Sequence, residues 1–169
     1  SHPNVVQLPS AKDDTDMIYA LREGLSRGFR RVVLLGGVGG RVGHTFANLQ
    51  SLAWLTTQGA RGVLARDGTV ATALHNERMT FPRGLSGFWS AFCVSGIAEG
   101  VTLRNLKYEL TDYTISANFP LGVSNEFLEQ PAQVSVRQGT LLTMWRGQGD
   151  FYRLLPQLCN REPMEQEEE

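Results

Sequence analysis

Between Arg31 and His44 the chain reads Arg-Val-Val-Leu-Leu-Gly-Gly-Val-Gly-Gly-Arg-Val-Gly-His, and no other stretch narrows the choice of fold as much. Four β-branched and aliphatic positions in a row, Val32 to Leu35, leading into glycines, are the mark of a buried strand. The residues after the glycines change period: Phe46, Leu49, Leu52, Ala53 and Leu55 share one face of a helix running from about His44 to Gln58. Gly62-Val-Leu-Ala65 then supplies a second buried strand. Upstream, Met17, Ala20, Leu21 and Leu25 recur at three and four residues, giving an amphipathic helix over Asp14–Arg27 that Thr15 or Asp14 can cap and Gly28 ends. Strand, glycine loop, helix and strand in this order predict an α/β unit with parallel strands over residues 1–66.

Beyond Asp67 the pattern turns to short alternating segments broken by Gly, Pro, Asn and Asp. Strands are expected at Thr69–Leu74, Phe88–Val94, Val101–Leu110 and Tyr113–Phe119, and a hairpin at Val134–Arg137 and Thr140–Trp145 around Gln138-Gly139. Residues 67–148 are therefore read as an antiparallel β-sandwich, so the fold class is α/β followed by all-β. Residues 149–169 form a C-terminal segment whose tail from Asn160, ending Glu-Gln-Glu-Glu-Glu, has little to bury and is expected to be disordered.

The formal net charge of −1 with scattered arginines excludes the clustered basic excess that nucleic acid or an anionic membrane demands. Cys93 and Cys159 have neither metal spacing nor a closely set pair, and read as reduced thiols of a cytoplasmic protein, with Cys93 in the core. No apolar run reaches the roughly 20 residues that span a bilayer. The opening Ser-His-Pro-Asn-Val-Val-Gln-Leu-Pro lacks an initiator methionine and enters a strand-like Val5-Val6 at once, so the chain is expected to begin mid-fold.

Three clusters carry chemistry. In Lys12-Asp13-Asp14-Thr15-Asp16, three carboxylates meet a helix start; they suit Mg²⁺, which takes a couple of carboxylates plus water and phosphate oxygens, and equally suit a capped helix favoured by its macrodipole. The loop Gly36–His44 can cradle an anion, because glycine admits close backbone approach, the helix start offers free amides, and Arg41 adds a forked donor. It is neither a dinucleotide fingerprint nor a P-loop, since Val42 replaces the third glycine and no Gly-Lys-Ser/Thr follows. A tight turn explains the same glycines, and His44 serves either as a phosphate donor or as a local hydrogen-bonding residue. The third cluster, Leu121-Gly-Val-Ser-Asn-Glu-Phe127, puts Ser124 and Asn125 in a turn that their own side chains can serve. Trp145 ends an apolar strand and is either core or a stacking plate for an aromatic cation.

In this order the clusters resemble the thiamine diphosphokinase family. The shared elements are Lys12-Asp13-x-Thr15-Asp16, the loop and helix Gly39-Gly40-Arg41-x-x-His44 with Ala47 and Asn48, Gly-Val-Thr-Leu-x-x-Leu-Lys-Tyr-x-Leu over 100–110, Gly-Val-Ser-Asn-Glu-Phe over 122–127, and Gly139-x-Leu141 with Trp145. The resemblance implies an α/β catalytic domain and a thiamine-binding β-sandwich, working as a homodimer with active sites between subunits. It implies transfer of pyrophosphate from ATP to the hydroxyl of thiamine, with Mg²⁺, giving thiamine diphosphate and AMP. Carried over residue by residue, Asp13 and Asp16 fall on the metal and catalytic acids, Thr15 and His44 on nucleotide contacts, and Gly39, Gly40 and Arg41 on the phosphate-facing loop, Arg41 also on catalysis. Ser124, Asn125 and Trp145 fall on the thiamine end. Two departures accompany it. The acid that the family places directly before the histidine is Gly43 here, and the family's upstream Ala-Asp-Gly-Gly and Gly-Asp-x-Asp-Ser elements have no counterpart, so the chain is expected to be the larger, C-terminal part of a member. A non-catalytic relative that binds thiamine or a nucleotide is the alternative reading.

Overall fold

The computed structural model describes residues 14–146 and 161–164. Helix α1 (Asp16–Ser26) starts where Thr15 Oγ1 accepts from the Ile18 amide at 3.2 Å, so the expected cap is formed. It leads into strand β1 (Arg31–Leu35), the glycine loop, helix α2 (Val42–Thr57) and strand β2 (Arg61–Arg66). β1 and β2 pair in parallel, Arg31 opposite Arg61 through Leu35 opposite Ala65, as the strand–loop–helix–strand pattern requires. Gly62 is what lets α2 lie on β2: a Cβ there would stand 2.8 Å from Leu55 and 2.9 Å from Leu52.

The remaining strands are β3 (Thr69–His75), β4 (Glu77–Phe81), β5 (Ser86–Cys93), β6 (Ile97–Arg104), β7 (Leu110–Ser116), β8 (Asn125–Leu128), β9 (Ala132–Ser135), β10 (Thr140–Arg146) and β11 (Arg161–Pro163). They form a six-stranded sheet of order β1-β2-β3-β10-β5-β8 and a five-stranded sheet of order β11-β4-β9-β6-β7. The turn at Asp67-Gly68 folds β3 back antiparallel onto β2, so the larger sheet continues across the change of sequence pattern near Asp67.

Two cores follow from strand alternation. Val70, Trp89, Ala91, Leu141 and Trp145 face the second sheet, where they meet Phe81, Val101, Leu103 and Val134. Leu64, Ala71, Ala73 and Leu142, on the other face, pack beneath Leu21, Leu52 and Leu55 of the helices. The helices reach only part of that face, and Phe88, from β5 beyond them, remains 65% exposed.

Several sequence expectations are corrected. The segments around Gln138-Gly139 are not a hairpin: β9 pairs with β4 and β6, whereas β10 pairs with β3 and β5 in the other sheet. The short connection crosses between sheets because Val136 N donates to Glu77 O and Gly139 N to Asn76 Oδ1, two bonds that hold it at the sandwich corner. The strand expected at Val101–Leu110 breaks at Asn105, whose φ of 58° and bond to the Glu109 carboxylate turn the chain into β7. Within the acidic C-terminal segment, Arg161–Pro163 pair with Met79–Glu77, since edge pairing uses backbone donors and needs no apolar side chain. The rest of that tail, Cys159 included, lies outside the described residues.

Candidate functional site

Both helices begin at the carboxyl ends of the parallel strands, because α1 leads back into β1 and α2 leads back into β2; this is the end of an α/β sheet at which ligands gather. Thr15, Asp16, the glycine loop, Arg41 and His44 therefore share one end of the molecule. Asp14 is tied to Arg22 at 2.7 Å and serves α1. Asp16 is exposed in the first helical turn, while Asp13 lies outside the described residues. Arg41 holds the N-cap position of α2 in extended conformation, exposed and making no capping bond with its side chain, and His44 is exposed one turn on.

The loop itself is braced from two elements. Asn48 Nδ2 donates to Gly37 O at 2.9 Å, Thr45 Oγ1 accepts from Gly39 N at 3.0 Å, and Arg66 Nη1 donates to Val38 O at 2.6 Å. Gly39 has φ of 96°, a left-handed conformation with the Arg66 guanidinium 3.3 Å from the place of a Cβ.

The other cluster sits at the opposite edge of the same sheet. Leu35, Ala65, Val70, Trp145, Trp89 and Asn125 are paired neighbours along one row, so the end of β1 and the start of β8 lie at the same level. Five strand spacings separate them, about 24 Å at the usual ~4.8 Å per step. Asn125 is 4% exposed. Its Oδ1 accepts from the amides of Tyr108 and Glu126, each at 2.9 Å, and its Nδ2 donates to Tyr108 O at 2.7 Å, so the side chain is a clamp on the β6–β7 connection. Ser124 is exposed with φ of 60°, and its amide donates to Ser90 Oγ at 3.2 Å. Tyr108, held by that clamp, is 60% exposed. Beside it Lys107 Nζ is 2.6 Å from Glu126 Oε1 and 5.6 Å from the Tyr108 ring centre. The hydrogen bond to Glu126, then the carboxylate's charge, hold the Lys107 ammonium above the usual lysine range.

Of the two readings of Trp145, the chain by itself places the indole in the core. It is 4% exposed, edge-on to Phe81 with ring centres 5.3 Å apart, and on β10 it shares the inward-facing set with Leu141 and Thr143. A stacking plate needs an open face, which this indole lacks. Tyr108 is the exposed aromatic at Ser124 and Asn125 that sequence reasoning missed; its signal is an aromatic set between two strands next to a lysine.

Comparison with known proteins decides the family. The thiamin pyrophosphokinase catalytic domain matches residues 2–64, and the thiamin pyrophosphokinase vitamin B1 binding domain matches residues 76–141, together most of the chain. The chain belongs to the thiamin pyrophosphokinase family. The fold agrees: a thiamin pyrophosphokinase from Geobacillus thermodenitrificans superposes with a TM-score of 0.70 at 28% identity, over 85% of this chain and 66% of that one. A thiamin pyrophosphokinase family protein from Enterococcus faecalis gives 0.68 at 29% identity, over 86% and 68%. The thiamine pyrophosphokinase from Bacillus subtilis gives 0.72 over 82% and 66%, a likeness of fold at 22% identity. The chain thus spans just under two thirds of the first and last of these chains. No curated protein sequence matches it. Within the thiamin pyrophosphokinase frame, the glycine loop lies in the catalytic match and the Asn125–Tyr108 corner in the vitamin B1 binding match.

Among the described residues no group of three or more His, Cys, Asp or Glu stands together as a metal centre. The donor chemistry at the α1 start nevertheless suits Mg²⁺, because that ion takes only one or two carboxylates and completes its shell with water and phosphate oxygens. No described helix is long and apolar enough to cross a membrane, which says nothing of β-barrels.

Proposed function

We propose that this chain carries the ATP:thiamine diphosphotransferase reaction, passing a pyrophosphoryl group from ATP to the thiamine hydroxyl to give thiamine diphosphate and AMP. The observation that carries the reading is the joining of a catalytic-domain match over residues 2–64 to a vitamin B1 binding-domain match over residues 76–141 on one continuous sheet. On this reading the amides at the start of α2, with Gly39, Gly40 and Arg41, bind the phosphates, and Thr15 and His44 contact the nucleotide. Asp16, with Asp13, holds Mg²⁺, which when bound neutralises the phosphate oxygens. Asn125 positions the Tyr108 ring, Ser124 lines the same corner, and Tyr108 takes the place first expected of Trp145 as the aromatic against the vitamin.

The row across the sheet supports a site shared between two copies. In-line transfer needs reacting atoms roughly 3–3.5 Å apart, and one chain holds its two clusters at opposite sheet edges. A homodimer that sets the glycine loop of one protomer against the Tyr108 corner of its partner removes the separation. Exposed apolar side chains favour such an interface: Val42 and Phe46 on α2, Phe88 on β5, and Phe119 and Val123 in the β7–β8 connection. Of these, Phe46 lines an apolar groove of about 590 Å³ between α2 and β5/β10. The free thiol of Cys93 suits a reducing, cytoplasmic setting.

Release of AMP from thiamine and MgATP tests the reading directly. Turnover in this chain is the expected result, and absence of turnover in both this chain and its Gly43→Asp variant overturns it. Tyr108→Ala should weaken thiamine about tenfold, from loss of a cation–π contact worth ~1–2 kcal/mol, with nucleotide affinity unchanged; equal thiamine binding removes Tyr108 from the site.

A further inference from the structure

The glycine loop is held by its acceptors. Arg66 Nη1 donates to Val38 O at 2.6 Å and stands 3.5 Å from Gly36 O, Asn48 Nδ2 donates to Gly37 O at 2.9 Å, and Thr45 Oγ1 donates to Gly39 O at 3.3 Å. Four successive carbonyls, 36 to 39, each face a side-chain donor. The direction matters, because no peptide here is cis and the C=O and N–H of a trans peptide point opposite ways. Drawing the carbonyls of Gly37 and Gly39 onto Asn48 and Thr45 turns the amides of Val38 and Gly40 outward, in the sense that favours an anion, while Arg66 on Val38 O fixes the peptide between them, whose Gly39 amide donates inward to Thr45 Oγ1.

Arg66 differs from the other two braces. Thr45 and Asn48 belong to α2, the helix the loop itself enters, whereas Arg66 ends β2 and reaches across from the neighbouring strand. Its Nε donates to Asp67 Oδ2 at 3.1 Å, which fixes the fork from behind, and its guanidinium packs where a side chain at residue 39 would begin. We propose that Arg66 is a positioning residue that pre-organises the glycine loop for a polyphosphate without touching it. This rests on the reading that the loop receives the phosphates of ATP, and it adds a residue that neither the glycine pattern nor the catalytic acids point to.

The test compares Arg66→Gln and Arg66→Lys with the unaltered full chain in two measurements: calorimetric affinity for MgATP, and amide hydrogen exchange of residues 37–41 without nucleotide. Arg66→Gln should accelerate exchange at Gly39, whose amide is protected by Thr45 Oγ1 in the braced loop, and weaken MgATP at least tenfold, leaving thiamine affinity in place. Arg66→Lys, which keeps the charge and loses the fork, should fall between. A residue that only contacted phosphate would leave the exchange of the free loop unchanged, so altered affinity with unaltered exchange overturns the proposal. Unaltered affinity in Arg66→Gln overturns it too, and if that variant fails to fold, wild-type affinity in Arg66→Lys does the same. Failure of the unaltered chain to bind MgATP removes the phosphate reading and the proposal with it, a result distinct from either variant outcome.

Discussion

At the β1–β2 edge the candidate site is made of backbone, whereas at the β8 edge it is made of side chains, although both lie on one row of one sheet. The glycine loop presents amides, and the residues that shape it, Thr45, Asn48 and Arg66, brace it from outside the sandwich core. The Tyr108 corner presents a ring, and it is shaped from within: Asn125 is buried, and its neighbour Phe127 packs on Phe81, which packs on Trp145. A site built on backbone answers to the side chains that brace it. One built on a buried clamp answers to the core behind it.

The largest effect expected from this contrast is at Trp145. Trp145→Ala should lower stability by about 4 kcal/mol, the range for removing a large aromatic from a packed core, read from denaturant unfolding. Under conditions where the variant stays folded, thiamine affinity should fall before MgATP affinity does. Loss of both in parallel would break the contrast, since it would make the glycine loop as dependent on the sandwich core as the Tyr108 corner is.

Asn125 sharpens the comparison at smaller cost. Asn125→Ala strands the amide and carbonyl of Tyr108, and removing a hydrogen-bonding partner from buried polar groups costs about 2 kcal/mol. Asn125→Asp keeps the acceptor used by the Tyr108 and Glu126 amides but gives up the bond to Tyr108 O, so its loss should be smaller and thiamine binding partly kept. If the Ala variant is as stable as the parent, the corner is held by the pairing of β8 with β5 and not by the clamp.

What sequence reasoning reached, and what it did not, divides along the same line. The parallel pair, both helices and the Thr15 cap were legible because each is local: a run of aliphatics, a 3.6-residue period, a hydroxyl before a helix. The glycine loop was legible as a strand-to-helix connection for the same reason. The partners of β9 and β10 were not, because Gln138-Gly139 has the chemistry of a hairpin turn and only the bonds from residues 136 and 139 to distant Glu77 and Asn76 send the two strands to different sheets. The burial of Trp145 and the exposure of Tyr108 were illegible for a similar reason. Which face of β10 is covered, and which connection is left open, depends on the second sheet lying over the first. Arg66 was invisible because its bonds to the loop span 28 and 30 residues and leave no periodic trace.

The smallest expected effect, and the one of opposite sign, is at Gly43. It lies in the first turn of α2, where there is no acidic residue, and nothing stands within 4 Å of an added Cβ. Gly43→Asp removes a helical glycine and places a carboxylate against the amide end of the macrodipole, which together should stabilise the chain by about 1 kcal/mol. The charge part of that gain is fully present at neutral pH and should fade as the new carboxyl is protonated at acid pH, while the part from removing the glycine remains, a dependence that thermal unfolding at pH 7 and pH 3 would reveal. The same carboxylate also stands directly before His44, where the family carries its acid, so AMP release should rise with it while nucleotide affinity changes little. Stabilisation without faster turnover would mean that the backbone end of the site needs only its amides and Arg41, and that the missing acid belongs to a step this chain accomplishes otherwise.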